Sequence, residues 1–212
     1  MTKQALLIFT KNPVAGQVKT RLAATLGNAE ALSIYKQLLL HTVSVTEYLP
    51  VDKFVFYSNH IQQEDVWNGK HYSKELQQGN DLGERMKNAF SSIFQKGYDK
   101  AVIIGTDCPG LNAGIIMNTF AYLNLHDIAI GPAEDGGYYL LGMKQLYPGL
   151  FKNIKWSTNS VLGETISKCT ALQLDYSLLP VLNDIDEEKD LQEFKLQTEK
   201  LEKHVQHHHS NI

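Results

Sequence analysis

Three cations and one glycine stand close together near the start of the chain: Lys11, Gly16, Lys19 and Arg21, with Pro13 and Thr20 among them. They directly follow the apolar run Ala5–Phe9. A short strand that enters a basic loop and then a helix surrounds a phosphate with backbone N–H groups and positive charge at the edge of a parallel sheet. The spacing is not that of a Walker A loop, which needs two glycines with four residues between them, followed at once by Lys and Ser or Thr. A phosphate-bearing ligand is therefore expected, but not P-loop NTPase chemistry.

Acidic residues supply the complement. Asp107 closes the segment Val102–Asp107 between Gly105 and Pro109. A carboxylate at a strand end can ligate Mg²⁺ or Mn²⁺, hard cations that keep several waters and need only one or two carboxylates plus ligand phosphates. The same residue can instead cap the turn that follows. Asp184 and Asp186 lie before a charged helix, and each reads either as an N-cap or as a second metal ligand. Their D-x-D spacing is also that of a haloacid-dehalogenase nucleophile, but such a motif opens its domain, and here only a short stretch of chain follows.

Further segments can shape a ligand site. Asp135, Gly136 and Gly137 form a turn in which paired glycines permit positive φ or close backbone approach. Asp135 is a candidate base or acceptor-orienting group there, and an ordinary Asp-Gly turn is the alternative. Gln78, Gly79, Asp81 and Gly83 open a helix from a glycine-rich turn, suited to a nucleobase, a ribose or an anion; capping by Asp81 explains part of the same pattern. Trp156 precedes Ser157 and Thr158 at another predicted helix start and reads as a ring-stacking or a packing residue.

The elements that must hold these groups alternate. Buried strands are read at Ala5–Phe9, Phe54–Tyr57, Ala101–Ile104, Asp127–Ile130 and Tyr138–Leu141, with shorter ones at Ser73–Gln77 and Ala171–Leu174. Helices are read at Asn28–Tyr48, Asp81–Phe94, Asn112–Leu123, Thr158–Lys168 and Glu187–His204, while residues 59–72 are irregular with a turn at Trp67–Gly69. This pattern predicts a three-layer α/β/α sandwich around a mostly parallel mixed sheet. Ligands in such sheets collect beyond the carboxyl ends of the strands. Residues 10–21, 105–110 and 131–137 all fall there.

The chain of 212 residues suits one domain, read as 1–204 with a polar His-rich tail at 205–212, native or appended. A net charge of −3 argues against nucleic-acid binding or adhesion to anionic lipid. Cys108 and Cys169 are too far apart for a Cys-x-x-Cys motif and read as free thiols. No signal peptide or membrane span is recognised. A cytoplasmic location follows as an expectation; the sequence sets no oligomeric state.

Taken together, the segments at Lys11–Leu22, Gly105–Pro109, Asp135–Tyr139 and Trp156–Thr158 resemble a bacterial family of glycosyltransferase-like proteins with the GT-A fold, the rSAM/selenodomain-associated transferases, some of them assigned to arsenosugar biosynthesis. The resemblance runs from about Leu6 to Leu191. It implies a nucleotide-diphospho-sugar transferase fold. The basic loop also resembles that of guanylyltransferases for molybdenum cofactor and for 2-phospholactate. On this resemblance Lys19 and Arg21 grip phosphates, Asp107 binds Mg²⁺ or Mn²⁺, and Asp186 completes the metal site. Most metal-dependent glycosyltransferases carry D-x-D at that strand end, whereas this chain has Thr106, Asp107 and Cys108. Three readings result: transfer of a glycosyl group from a nucleotide sugar to a small acceptor, transfer of a nucleotidyl group from an NTP to a phosphorylated acceptor, or nucleotide-sugar binding without catalysis.

Overall fold

In the computed structural model, which describes residues 2–67 and 69–192, the strands form one seven-stranded sheet. They are β1 (Gln4–Thr10), β2 (Asp52–Tyr57), β3 (Ser73–Leu76), β4 (Lys100–Ile104), β5 (Ile128–Pro132), β6 (Tyr138–Met143) and β7 (Tyr176–Leu178). Their order is β3-β2-β1-β4-β6-β5-β7. Only β6 runs against its neighbours; the other pairings are parallel. The mostly parallel mixed sheet expected from the alternating pattern is present.

The helices are α1 (Thr20–Leu26), α2 (Asn28–Thr46), α3 (Leu82–Gln95), α4 (Ala113–Tyr122) and α5 (Val161–Ala171). They divide between the two faces of the sheet because strand side chains alternate. Leu6, Ile8, Val55, Tyr57, Val102 and Ile104 face Tyr35 and Leu39 of α2 and Ile116 and Phe120 of α4. Ala5, Leu7, Phe54, Phe56, Ala101 and Ile103 face Met86, Ala89, Phe90 and Ile93 of α3 and Cys169 of α5. Strands that are apolar at nearly every position are thus buried on both sides. Two caps appear as read: the Asp81 and Asn112 carboxylate and amide oxygens accept from the backbone N–H groups of Glu84 and Ile115 at 2.8 and 3.0 Å.

Two expected elements differ. Ala171–Leu174 is not a strand: α5 continues through Ala171, a turn with Gln173 at φ 54° follows, and the strand is Tyr176–Leu178. Local β propensity in that stretch yields to the packing of Cys169 on the sheet. Residues 158–160, read as the start of the same helix, precede it instead. Trp67, read within a surface turn, is buried against Tyr72 with ring centroids 5.2 Å apart. Asn68, the helix expected beyond residue 192 and the His-rich tail lie outside the described residues; 188–192 are helical.

The C-terminal segment completes the carboxyl end of the sheet. After β7, Leu179 N–H donates to Ile130 O, Leu182 N–H to Pro132 O and Ile185 N–H to Asp107 O, at 2.8, 3.1 and 3.1 Å. Ile185 then joins Leu22 of α1 and Ile34 and Leu38 of α2 in a small apolar cluster. That cluster fixes the basic loop against the last acidic segment.

Candidate active site

A cleft of about 780 Å³ opens above the carboxyl ends of β1 and β4. Lys11, Lys19, Thr20, Arg21, Asp107, Asp135, Gly137, Trp156 and Asp186 all line it, so the three segments expected to converge do so. Its centre is Lys19. The side chain is only 3% exposed, and Nζ lies 2.9 Å from Asp107 Oδ1 and 3.1 Å from Asp186 Oδ1. The residue sits in the left-handed region (φ 49°, ψ 46°), a conformation that costs a non-glycine residue about 1–3 kcal/mol and is held here by surrounding packing. Burial opposes the charge on Lys19, but Asp107 and Asp186 overcome it and hold the ammonium's pKa above the usual lysine value.

Asp107 does not cap a turn with its side chain; its carboxylate turns to Lys19. Oδ1 is buried and has no hydrogen bond beyond that ion contact, while the side chain as a whole is 37% exposed to the cleft. Asp186 does not cap the last helix either. It is Asp190 Oδ2 that accepts from the N–H groups of Asp186 and Glu187, at 3.0 and 2.8 Å. Arg21 reaches Asp186 Oδ2 only at 3.9 Å and is 69% exposed.

Tyr35, Thr106 and Arg85, which the sequence reading left out of the site, line it, as does Asp184, read there as a cap or a second metal ligand. Asp184 lines the cleft, and burial, then the charge of Asp107, pushes its carboxyl up to about 7 against the opposing pull of Lys19. The hydroxyl of Tyr35 accepts from Lys11 N–H at 2.9 Å, donates to Lys11 O at 3.0 Å and lies 3.2 and 3.4 Å from the hydroxyls of Thr10 and Thr106. It ties the ends of β1 and β4 together. Arg85 lines the cleft with its Nε–H donated to Gly79 O at 3.2 Å. Thr106 precedes Asp107 in the same lining. Acidity before a predicted helix was the available signal for Asp184; a helix-face tyrosine carries none.

Other expected site residues act at one remove. Gly83 backs onto Trp156, so that a Cβ there would stand 2.3 Å from the indole; the glycine lets helix and ring meet at the cleft wall. Gly136, at φ 86°, brings the turn against Asn159, and Asp135 Oδ1 accepts from Gly137 N–H at 2.8 Å. Asp135 thus stands in a turn, as read, and lines the cleft. Gln78 and Gly79 carbonyls hold Asn88 and Arg85, and Asp81 caps α3. Gly16 (φ 77°) shapes the loop near Asn28. Pro13 faces a second hollow of about 250 Å³ between α2 and residues 57–67. Asn12, buried below the loop, accepts at Oδ1 from the N–H groups of Asn59 and His60, both at 3.3 Å.

Among the described residues no group of three or more His, Cys, Asp or Glu side chains is arranged to hold a metal ion, and no helix is long and apolar enough to cross a membrane.

This sheet order is that of the nucleotide-diphospho-sugar transferase fold, and the solved proteins that share it are transferases. The chain belongs to the family described as an uncharacterized protein conserved in bacteria (DUF2064), whose pattern matches residues 42–158. A protein of Desulfovibrio desulfuricans G20 assigned as a nucleotide-diphospho-sugar transferase is similar at 34% identity, over 88% of this chain and 84% of that one, with a TM-score of 0.81. More distant structures share the fold. A CMP:2-keto-3-deoxy-manno-octonic acid synthetase complexed with CTP matches 94% of this chain and 99% of its own, at 6% identity and a TM-score of 0.56. The Mycobacterium tuberculosis H37Rv protein Rv0371c in complex with manganese matches 91% and 97%, at 10% and 0.53. No curated protein matches the sequence.

Proposed function

We propose that the protein is a metal-dependent transferase that takes a nucleotide-diphospho-sugar donor and passes its sugar to a small acceptor. The observation that carries this reading is the Lys19 ammonium enclosed by Asp107 and Asp186 at the carboxyl end of β1 and β4. The assignment of the 34%-identical relative supports the donor class. The motifs at Gly105–Pro109 and Asp135–Tyr139 favour the rSAM/selenodomain-associated type within the family.

The donor set suits a divalent metal. Two carboxylates converge on one cation, the ammonium, and the buried Asp107 Oδ1 has no other partner. Asp107 and Asp186 would hold Mg²⁺ or Mn²⁺, with Asp184 beside them. When bound, the ion supplies neutralising charge to a departing diphosphate. The chain's own cations do the same work: Lys19, with Lys11 and Arg21 on the rim, offsets charge that grows on the leaving oxygens. Trp156 offers its indole to a ring, Gly137 lines the same cleft beside Asp135, and Asp135 orients the acceptor hydroxyl or takes its proton. Gln78, Gly79, Asp81 and Gly83 set the α3 end that faces the nucleoside.

A second reading, nucleotidyl transfer from an NTP, is favoured by one observation: a lysine-centred basic loop faces a single aspartate at the end of β4. A thermal-shift screen of NTPs against UDP-, GDP- and dTDP-sugars, with and without Mg²⁺ or Mn²⁺, separates the two. Stabilisation by nucleotide sugars supports glycosyl transfer; stabilisation by free NTPs alone supports nucleotidyl transfer. Asp107→Ala is expected to lower turnover at least 100-fold while some nucleotide binding remains. Turnover near the wild-type rate in that variant would refute both catalytic readings of Asp107. A folded protein that binds nucleotide sugar but transfers nothing would be a binding protein.

A further inference from the structure

We infer that Lys19 is the occupant of the metal seat in the ligand-free protein, so that the metal enters as its polyphosphate chelate rather than ahead of it. This deepens the proposed function and rests on its metal site. The geometry leads to it directly. One ammonium, 3% exposed, contacts Asp107 Oδ1 and Asp186 Oδ1 at 2.9 and 3.1 Å. A divalent cation that used those two oxygens would meet a positive charge already at bonding distance from both. Like charges at that separation repel strongly in a half-buried cleft. A bare ion must therefore displace the lysine without offering it a new partner, and a buried ammonium without a partner is costly.

A chelated ion brings its own solution. The phosphate oxygens give Lys19 a replacement acceptor as it leaves Asp107 and Asp186, and those two carboxylates pass to the ion. Total pairing is kept throughout. The route is open on the chain's side because Lys19 is the residue just before α1, next to Thr20 and Arg21 at the cleft surface, where Arg21 is 69% exposed. Its backbone is left-handed and its side chain is turned inward to the two aspartates. Lys19 thus excludes two half-loaded states. Bare metal is repelled, and a polyphosphate without metal leaves Asp107 and Asp186 unpaired when it draws the lysine away.

Mn²⁺ binding followed by the loss of its free electron-paramagnetic signal tests this without any substrate or turnover. The wild-type protein is expected to bind Mn²⁺ weakly, and Lys19→Met at least tenfold more tightly; adding Asp107→Asn to Lys19→Met removes the gain. No gain in a folded Lys19→Met protein overturns the inference. The wild-type protein supplies a second test should that variant fail to fold. In calorimetry, the Mn²⁺–pyrophosphate chelate is expected to bind at least tenfold more tightly than Mn²⁺ alone or pyrophosphate in EDTA. Mn²⁺ alone binding as tightly as the chelate overturns the inference as well. If Lys19→Met gains affinity for Mn²⁺ but no chelate binds the wild type, Lys19 holds the seat and the polyphosphate reading of the cleft is the part that fails.

Discussion

Among the described residues three lysines are buried, and the two ends of the sheet use them in opposite ways. At the amino end, Lys53 and Lys100 open β2 and β4. Lys53 Nζ donates to the carbonyls of Leu49 and Val51 at 2.9 and 3.1 Å. Lys100 Nζ donates to Phe120 O at 3.1 Å and to the side-chain oxygen of Asn124. Their partners are neutral, and burial, only partly opposed by nearby carboxylates such as Asp52 and Asp99, pulls both pKa values down. At the carboxyl end, Lys19 is as buried but faces two carboxylates, and its pKa is raised. An ammonium that satisfies carbonyls where the chain turns serves the fold. One that holds two carboxylates over an open cleft keeps charge ready for a ligand.

The sharpest way to break this contrast is to remove the amino-end ammonium groups. Lys53→Met and Lys100→Met each leave buried carbonyls without a donor and should cost about 1–3 kcal/mol in urea unfolding, with nucleotide affinity unchanged. Loss of ligand binding at full stability in either variant would abolish the distinction between the two ends.

Asp184 sharpens the contrast from the acidic side. Its carboxyl is raised to about 7, above the ordinary value of about 3.9, so the folded state favours the protonated form. That stability is present below the ordinary value and is lost as pH rises through about 7. Wild-type stability should therefore fall relative to Asp184→Asn between about pH 4 and pH 7.5, as read from denaturation midpoints. Parallel pH profiles would mean that neither burial nor the nearby charge of Asp107 raises the Asp184 carboxyl. The smallest effect is expected at Arg21, whose contact with Asp186 spans 3.9 Å at the surface. Arg21→Ala should change stability by less than about 1 kcal/mol, and added salt should shrink the difference.

How much of this was legible in the sequence depended on whether the signal was local. The apolar runs at Ala5–Phe9 and Ala101–Ile104, the caps at Asp81 and Asn112, and the convergence of residues 10–21, 105–110 and 131–137 follow from patterns a few residues long. The direction of β6 against β5 also follows from a local signal, since the Asp-Gly turn between them is too short for a parallel crossover, but its insertion beside β4 does not. The Lys19–Asp186 pair joins residues 167 positions apart. It depends on a segment that runs beside β5 to Ile185 and packs on Leu22, which no spacing rule reveals. Spacing alone left Asp184 and Asp186 open to the same two roles, and only the family resemblance singled out Asp186. The strand expected at Ala171–Leu174 was displaced by α5 because helix packing outweighs local propensity. Arg85 was hidden for a related reason: its neighbours Gly79 and Asp81 explained the helix start without it.

The central claim is that Lys19, Asp107 and Asp186 form the polyphosphate and metal end of a transferase site. Crystals soaked with Mn²⁺ and the nucleotide or nucleotide sugar that most stabilises the protein test it most directly, through the anomalous difference map. The account predicts a manganese peak between Asp107 and Asp186, with the Lys19 ammonium moved onto a phosphate oxygen. A bound nucleotide with Lys19 still paired to both aspartates, and manganese elsewhere or absent, would contradict it.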